Sequence, residues 1–153
     1  MRNVYLDYSA TTPVKEEVLK EMLPYFTEKF GNPSSLYDTG LEAKAAVTHA
    51  REQVAALIHA DPKEVFFTAG GTESDNWALF GACDKLKEKG NHIITTKIEH
   101  HAILHSCAFL EKHGFDVTYV GIDKDGRVNL KELEDAITDK TILISVMMVN
   151  NEI

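Results

Sequence analysis

Residues 68–79, with the sequence TAGGTESDNWAL, carry a glycine pair between an apolar run and a helical pattern. A glycine pair lets the backbone approach an anion closely, and the amides of Gly71, Thr72 and Glu73 would point outward where the helix begins. The Thr72 hydroxyl adds a further donor. The same residues also suit a simple strand-to-helix turn, and their spacing matches neither the Walker A nor the GxGxxG pattern. The residues alone therefore leave a phosphate site and a turn both open.

Three histidines occur within residues 99–105, EHHAILH. His101 and His105 are four residues apart and share one helix face, a spacing that suits metal ligands. The HExxH pattern is absent and no third ligand has a clear spacing, so surface or core histidines are the better interpretation. His100 lies where a strand passes into a helix, and an imidazole there can stack on a flat ring or move protons near neutral pH.

Two asparagines follow an apolar run in residues 149–153, VNNEI. Successive strand side chains alternate in direction, so of Asn150 and Asn151 one should face the sheet edge and the other neighbouring structure. An amide facing the edge donates to a ring oxygen without adding charge, although an asparagine-rich turn explains the same residues. Residues 30–40, FGNPSSLYDTG, are a long loop of the kind that serves as a lid or interface, with Asn32 as its best site-facing candidate.

From residue 64 the pattern alternates between strands and helices in the order βαβαβαβ. The predicted strands are KEVFFTA, HIITTK, DVTYVGI and TILISVMMV, the last of them fully buried. Within this alternating region, Thr72 is predicted to cap the first helix with Asp75 as its capping-box partner, and Asn129 is predicted to cap the last helix. The order predicts an α/β fold with a parallel sheet that binds ligands at the carboxyl ends of its strands. The glycine pair, the histidines and the asparagines all lie in loops at that edge.

Residues 1–60 are predicted as an N-terminal arm with helices, and residues 61–153 as the start of an α/β domain. Thr12 and Pro13 mark the predicted start of the first helix, and Pro24 its end or a bend. A second helix is predicted over residues 41–59. Its apolar spacing predicts an inner face formed by Val47, Ala50, Val54, Leu57 and Ile58.

The chain has 153 residues and a formal net charge of −8, which disfavours nucleic acid or an anionic membrane as a partner. No apolar run approaches the roughly 18 residues of a membrane span, and the first residues lack a signal-peptide pattern, so a cytoplasmic protein is expected. Cys83 and Cys107 form no CxxC and are predicted to be reduced structural thiols. A buried parallel strand normally leads into a crossover, so we expect this sequence to be part of a longer chain.

Seven segments together resemble the NifS/IscS-type cysteine desulfurases, pyridoxal-phosphate enzymes of the class V aminotransferase group. In family order they are VYLDYSATTPV, FGNPSSLY, VFFTAGGTESDNWAL, HIITTKIEHHAIL, GFDVTYV, LKELEDAI and VNNEI. The resemblance implies the type I fold of pyridoxal-phosphate-dependent transferases, a mainly parallel sheet flanked by helices. Residues 61–153 would be the first part of its large cofactor-binding domain, preceded by the helical arm.

The resemblance also implies a cofactor, pyridoxal 5'-phosphate, and roles for four residues. Gly71 and Thr72 match the positions that bind the cofactor phosphate. His100 matches the histidine that stacks on the pyridine ring and takes part in catalysis, and Asn151 matches the asparagine near the ring hydroxyl. No metal is implied.

The chain departs from the family mainly in its length. The family's Schiff-base lysine, the aspartate opposite the pyridine nitrogen and the nucleophilic cysteine lie beyond residue 153. Lys97, Cys83 and Cys107 do not match them. Met148 stands where the family often has a histidine, and Ala69 where it often has a serine.

For the whole enzyme the resemblance implies removal of sulfur from L-cysteine, giving L-alanine and an enzyme persulfide. It further implies a homodimer, an iron–sulfur scaffold protein or another sulfur acceptor as partner, and a site completed by the rest of the chain. The alternatives are a selenocysteine lyase or related class V aminotransferase-type enzyme, and a non-catalytic truncated binding module.

Overall fold

A computed structural model describes residues 3–153 and divides the chain into two compact units between Phe67 and Thr68. The first unit contains helices α1 (Glu16–Met22), α2 (Pro24–Thr27) and α3 (Asp38–Ile58) and a 3₁₀ turn (Pro62–Glu64). The second alternates helices and strands: α4 (Gly71–Leu86), β1 (His92–Thr96), α5 (His101–Glu111), β2 (Asp116–Val120), α6 (Leu130–Ala136) and β3 (Thr141–Ser145). Among residues 3–153 no helix combines the length and hydropathy needed to cross a membrane.

The first helix begins later than its sequence predicts. Its first residue is Glu16, preceded by Lys15 in an extended conformation. Thr12 is therefore not its cap, and Pro13 lies before its first turn. The predicted break at Pro24 is confirmed, because Pro24 starts α2, a position where its fixed φ and missing amide are tolerated.

Helix α3 matches its predicted position but not its predicted inner face. Leu57 is 80% exposed and Ile58 60% exposed, whereas the buried residues are Gly40, Ala43 and Ala55. Only glycine fits at position 40, because the preceding loop packs against it. A Cβ there would lie 2.6 Å from a Ser35 atom. Small residues thus mark where this unit packs closely, and the large apolar ones do not.

The long loop of residues 30–37 precedes α3 without regular structure, as predicted. Asn32 shapes this loop from within: its side-chain oxygen accepts the Ser34 amide at 2.9 Å and its carbonyl the Ser35 amide at 2.9 Å. These contacts show that Asn32 stabilises a turn within the loop.

Strand β1 lies at the centre of a parallel three-stranded sheet, in the order β2-β1-β3. All five of its residues are buried, as expected for a central parallel strand covered on both faces. At its start the His92 ring spans the sheet: Nδ1 lies 2.7 Å from the Thr141 hydroxyl of β3, and Nε2 2.9 Å from the Thr118 hydroxyl of β2. The predicted parallel α/β order is therefore confirmed for three of the four strands.

Two of the predicted strands differ from the structure. Residues 63–69 form no strand of the described sheet, because Asp61 and Glu64 instead build a capping box around a 3₁₀ turn. Val65 is buried there, but Phe67 is 52% exposed. Strand β3 ends at Ser145 and is only partly buried, so the prediction of a fully buried final strand is wrong.

The core of the second unit lies where α4 and α5 pack against the sheet. Its buried apolar residues are Leu79, Cys83, Ile93, Ile103, Cys107 and Leu110. Both cysteines are free and buried, which confirms their prediction as structural thiols. Burial, and then the neighbouring Cys83, raise the pKa of Cys107 to about 11, so this thiol stays protonated and unreactive at neutral pH.

Candidate functional site

Helix α4 begins at Gly71, after Gly70 in an extended conformation with φ 169°. Thr72 lies inside the first turn, so its predicted role as the helix cap is wrong. In that turn the amides of Gly71, Thr72 and Glu73 have no carbonyl partner within the helix, and the helix dipole adds partial positive charge. A Cβ at Gly70 or Gly71 would meet nothing within 4 Å, so the space beside the turn is open. This arrangement suits an anion.

The loop before α4 is tied to the helix by its polar side chains. The Glu73 carboxylate accepts the Ala69 amide at 2.6 Å, and the hydroxyls of Thr68 and Ser74 lie 2.6 Å apart. Glu73, and not the predicted Asp75, makes the contact back to the preceding loop, but to the amide of Ala69 and not to that of the N-cap residue Gly70, so no capping box forms.

Two cavities open along the start of α4. The first, of 610 Å³, is lined by Thr72 and His100 together with Asn76, Phe80, His101, Ala102, His105, Ser106 and Phe109. The second, of 580 Å³, is lined by Gly71 and Thr72 together with Ala69, Gly70, Glu73 and Asn76. The two cavities share Thr72 and Asn76. The structure thus brings Gly71, Thr72 and His100 around adjoining openings.

His100 is the N-cap residue of α5. Its Nδ1 accepts the Ala102 amide at 3.1 Å, which fixes the ring at the helix start while the residue stays exposed. Since Nδ1 acts as an acceptor, the neutral ring carries its proton on Nε2, which is left as a donor. An exposed imidazole held in this way can stack on a flat ring and offer one N–H.

The other two histidines of the segment lie on the helix surface, as expected from the missing HExxH pattern and the missing third ligand. His101 and His105 are exposed, and their rings stack with centroids 5.1 Å apart.

Glu99 is a buried carboxylate that the sequence patterns did not single out. It is 8% exposed, and its Oε1 accepts both the Thr96 hydroxyl and the Met147 amide at 2.8 Å. A buried charge requires such donors. The sequence did offer one signal for Glu99. It lies three residues after the end of the fully buried strand β1, where an acidic side chain must find hydrogen-bond partners.

The two asparagines of VNNEI take different partners, but they follow β3 after its end at Ser145, so strand alternation does not account for the difference. Asn150 Nδ2 donates to the Ile98 carbonyl at 2.8 Å, and its Oδ1 accepts the amides of Glu152 at 2.6 Å and Ile153 at 3.1 Å. Asn151 is exposed, with its Nδ2 3.1 Å from the Glu152 carboxylate. Asn151 does not line either cavity at the start of α4.

The donors present are chemically suited to a phosphate monoester attached to a flat heteroaromatic ring. The first turn of α4 supplies amides and a hydroxyl, with open space beside Gly70 and Gly71. The exposed His100 ring supplies a stacking surface beside it. Pyridoxal 5'-phosphate has both groups, so the residues fit the cofactor that the resemblance implies.

Comparison with known proteins gives one consistent result. The family model described as Aminotransferase class-V matches residues 4–153. The protein named Cysteine desulfurase IscS from Clostridium botulinum (strain Kyoto / Type A2) is 60% identical over 152 residues, which cover 99% of this chain and 38% of that protein.

Solved structures agree with the sequence relatives. A structure named NifS-like protein matches with a TM-score of 0.96 at 43% identity, over 99% of this chain and 42% of that one. The structure of SspA in complex with cysteine matches with a TM-score of 0.92 at 42% identity, over 97% and 43% of the two chains. The chain therefore spans about two fifths of the length of these relatives.

Proposed function

Because the chain belongs to the class-V aminotransferase family, we propose that it is part of a cysteine desulfurase. Its fold is part of the large domain of the type I pyridoxal-phosphate-dependent transferases, and the family depends on pyridoxal 5'-phosphate. The whole enzyme takes sulfur from L-cysteine, releases L-alanine and keeps the sulfur as a persulfide on a cysteine. The observation that carries the proposal is the 60% identity to a named cysteine desulfurase across 99% of this chain.

Gly71 and Thr72 bind the cofactor phosphate in this proposal. The open first turn of α4 supports this role, because its amides lack helical carbonyl partners and carry the positive end of the helix dipole. Thr72 adds a hydroxyl donor from the same turn. The Glu73 carboxylate lines the same cavity, and its hydrogen bond from the Ala69 amide gives its negative charge a partner within the loop.

His100 is the catalytic residue that this part of the chain contributes. Its ring stacks on the pyridine ring, and its Nε2 holds or passes a proton at the face of the bound substrate. The hydrogen bond from the Ala102 amide to Nδ1 supports this role by fixing the tautomer and the ring plane. When bound, the cofactor supplies an electron sink for the reaction.

Asn151 contacts the ring hydroxyl through its side-chain amide. The exposure of Asn151 on the segment that follows β3 supports this assignment. The Schiff-base lysine, the aspartate opposite the pyridine nitrogen and the nucleophilic cysteine lie outside these 153 residues.

The partners of the whole protein follow from the same proposal. L-cysteine is the substrate, as supported by the cysteine bound in the related SspA structure. A second copy of the protein forms a homodimer in the cytoplasm, and an iron–sulfur scaffold protein or another acceptor receives the sulfur. Residues 1–60 serve as an arm, and residues 61–153 are the first part of the large cofactor-binding domain.

The test is a sulfur-release assay on the full-length purified enzyme loaded with pyridoxal 5'-phosphate. With L-cysteine and a thiol reductant, we expect equal amounts of sulfide and L-alanine, since the reductant discharges the persulfide. A strong preference for L-selenocysteine would replace the proposal by a selenocysteine lyase. Cofactor binding without turnover of either amino acid would replace it by a binding module.

A further inference from the structure

Two segments that carry candidate site residues are joined by a pair of hydrogen bonds. They follow the neighbouring parallel strands β1 and β3. Residues 97–100 end in His100, and residues 146–151 end in Asn151. One bond runs from the Met147 amide to the Glu99 carboxylate, and the other from the Asn150 side chain to the Ile98 carbonyl, both at 2.8 Å.

Each of the two side chains that make these bonds directly precedes a candidate site residue in the chain. Glu99 precedes His100, and Asn150 precedes Asn151. A shift of either side chain therefore moves the adjacent site residue through one peptide unit. Neither Glu99 nor Asn150 lines the cavities at the start of α4 that Thr72 lines.

The hydrogen bond between Glu99 and Thr96 is buried, and the one between Glu99 and Met147 is partly buried. Glu99 is 8% exposed and Thr96 is fully buried. Without the carboxylate, the Thr96 hydroxyl and the Met147 amide lose their acceptor, and unsatisfied buried donors are costly. The segments then separate or rearrange to find other acceptors.

We propose that Glu99 and Asn150 form a clamp that positions His100 and Asn151 against the same cofactor ring. Both act as positioning residues, and neither contacts the cofactor. The inference rests on the proposed roles of His100 and Asn151 in the proposed function. Its physical basis is that a bound ring tolerates only small errors in the placement of the groups that contact it.

The variants distinguish the effect of losing the hydrogen bonds of Glu99 from the effect of losing its negative charge. Because Oε1 alone accepts both hydrogen bonds, the amide oxygen of Glu99→Gln can keep both, whereas Glu99→Ala loses both. Asn150→Asp keeps the oxygen that accepts the amides of Glu152 and Ile153 but loses the donor to Ile98. Glu111→Gln is the matched control, since Glu111 accepts one hydroxyl from Tyr119 on the exposed surface.

The measurement is the dissociation constant of pyridoxal 5'-phosphate from the full-length enzyme, obtained by titrating the apoenzyme and following cofactor circular dichroism. We expect Glu99→Ala to weaken binding about tenfold, because the loss of both hydrogen bonds lets His100 and Asn151 shift relative to the ring. Glu99→Gln should stay within about threefold of the wild type. Asn150→Asp should also weaken binding, and it decides the question if Glu99→Ala does not fold.

Any of three results would overturn the clamp. One is an unchanged dissociation constant in Glu99→Ala or, where that variant does not fold, in Asn150→Asp. Another is an equal loss in Glu99→Gln and Glu99→Ala, which would assign the effect to charge. A change of the same size in Glu111→Gln would likewise reduce it to general destabilisation. Because cofactor binding needs no turnover, an enzyme inactive with L-cysteine would refute the proposed function and leave this test intact.

Discussion

The Glu73 carboxylate and the Ala69 amide are joined by a hydrogen bond of 2.6 Å across the start of α4. The bond closes the loop that carries Gly70 and Gly71 onto the first helical turn. It therefore fixes the direction of the amides that we assign to the cofactor phosphate.

Glu73→Ala should destabilise this helix start by about 1 kcal/mol, the net contribution of one intramolecular hydrogen bond. Urea unfolding of the full-length apoenzyme measures the change in the free energy of unfolding. Glu73→Gln, whose side-chain oxygen still accepts the Ala69 amide, is the control and should lose less. Equal stability of Glu73→Ala and the wild type would show that the bond does not stabilise the loop.

Thr72→Val should weaken cofactor binding because it removes one hydroxyl donor to a charged phosphate. Such a bond is worth about 1.5–3 kcal/mol, or roughly 10- to 150-fold in the dissociation constant. Thr72→Ser keeps the hydroxyl and should bind within a few-fold of the wild type. An unshifted dissociation constant in Thr72→Val would remove Thr72 from the phosphate site.

His100→Ala should weaken cofactor binding and lower kcat about 100-fold, the lower range for a lost acid–base group. The absorption spectrum of the bound cofactor should change with it, since the stacked ring is gone. His113→Ala is the control, because His113 is exposed beyond the other end of α5 and stacks on Phe109, with centroids 3.9 Å apart. An unchanged spectrum and rate in His100→Ala would exclude His100 from the site.

Cys107 should make folding stability fall as the solution becomes alkaline. Burial raises its pKa from 9.0 to about 11, so the folded state binds the proton more tightly than the unfolded state. This stabilising contribution is complete below about pH 9 and is lost as the pH rises through about 11, with a slope of up to about 1.4 kcal/mol per pH unit.

Urea unfolding of the full-length apoenzyme at several alkaline pH values tests this expectation. Cys107→Ala should show a shallower loss of stability than the wild type. Ile103→Val perturbs the same core without touching the thiol and should keep the wild-type slope. Parallel curves for Cys107→Ala and the wild type would contradict the assignment.

Several structural features that depend on residues close together in the sequence were predicted correctly. Asn129 caps α6 as its sequence indicates, with its side chain accepting the Glu132 amide at 3.1 Å. The alternation of strands and helices predicted the parallel sheet, because short crossovers demand it. Thr72 and His100 line one cavity, although the strand that was predicted to lead into Thr72 is absent from the described sheet.

Features that depend on distant partners were not predictable in this way. The run KEVFFTA has the hydropathy of a strand, but Asp61 and Glu64 form a capping box that turns the chain there. Leu57 and Ile58 have helical spacing on α3 yet are exposed, since spacing does not reveal what packs against a face. The contact of Glu99 with Met147 joins residues 48 positions apart, which no local pattern contains.

Strand β1 holds the central position of the sheet, and the pairing of the sheet depends on it. Strands β2 and β3 pair with β1 and not with each other, and the His92 ring contacts a threonine on each of them. Among the described strands, β1 alone therefore connects β2 with β3. A substitution that disrupts these five residues removes the pairing partner of both outer strands together.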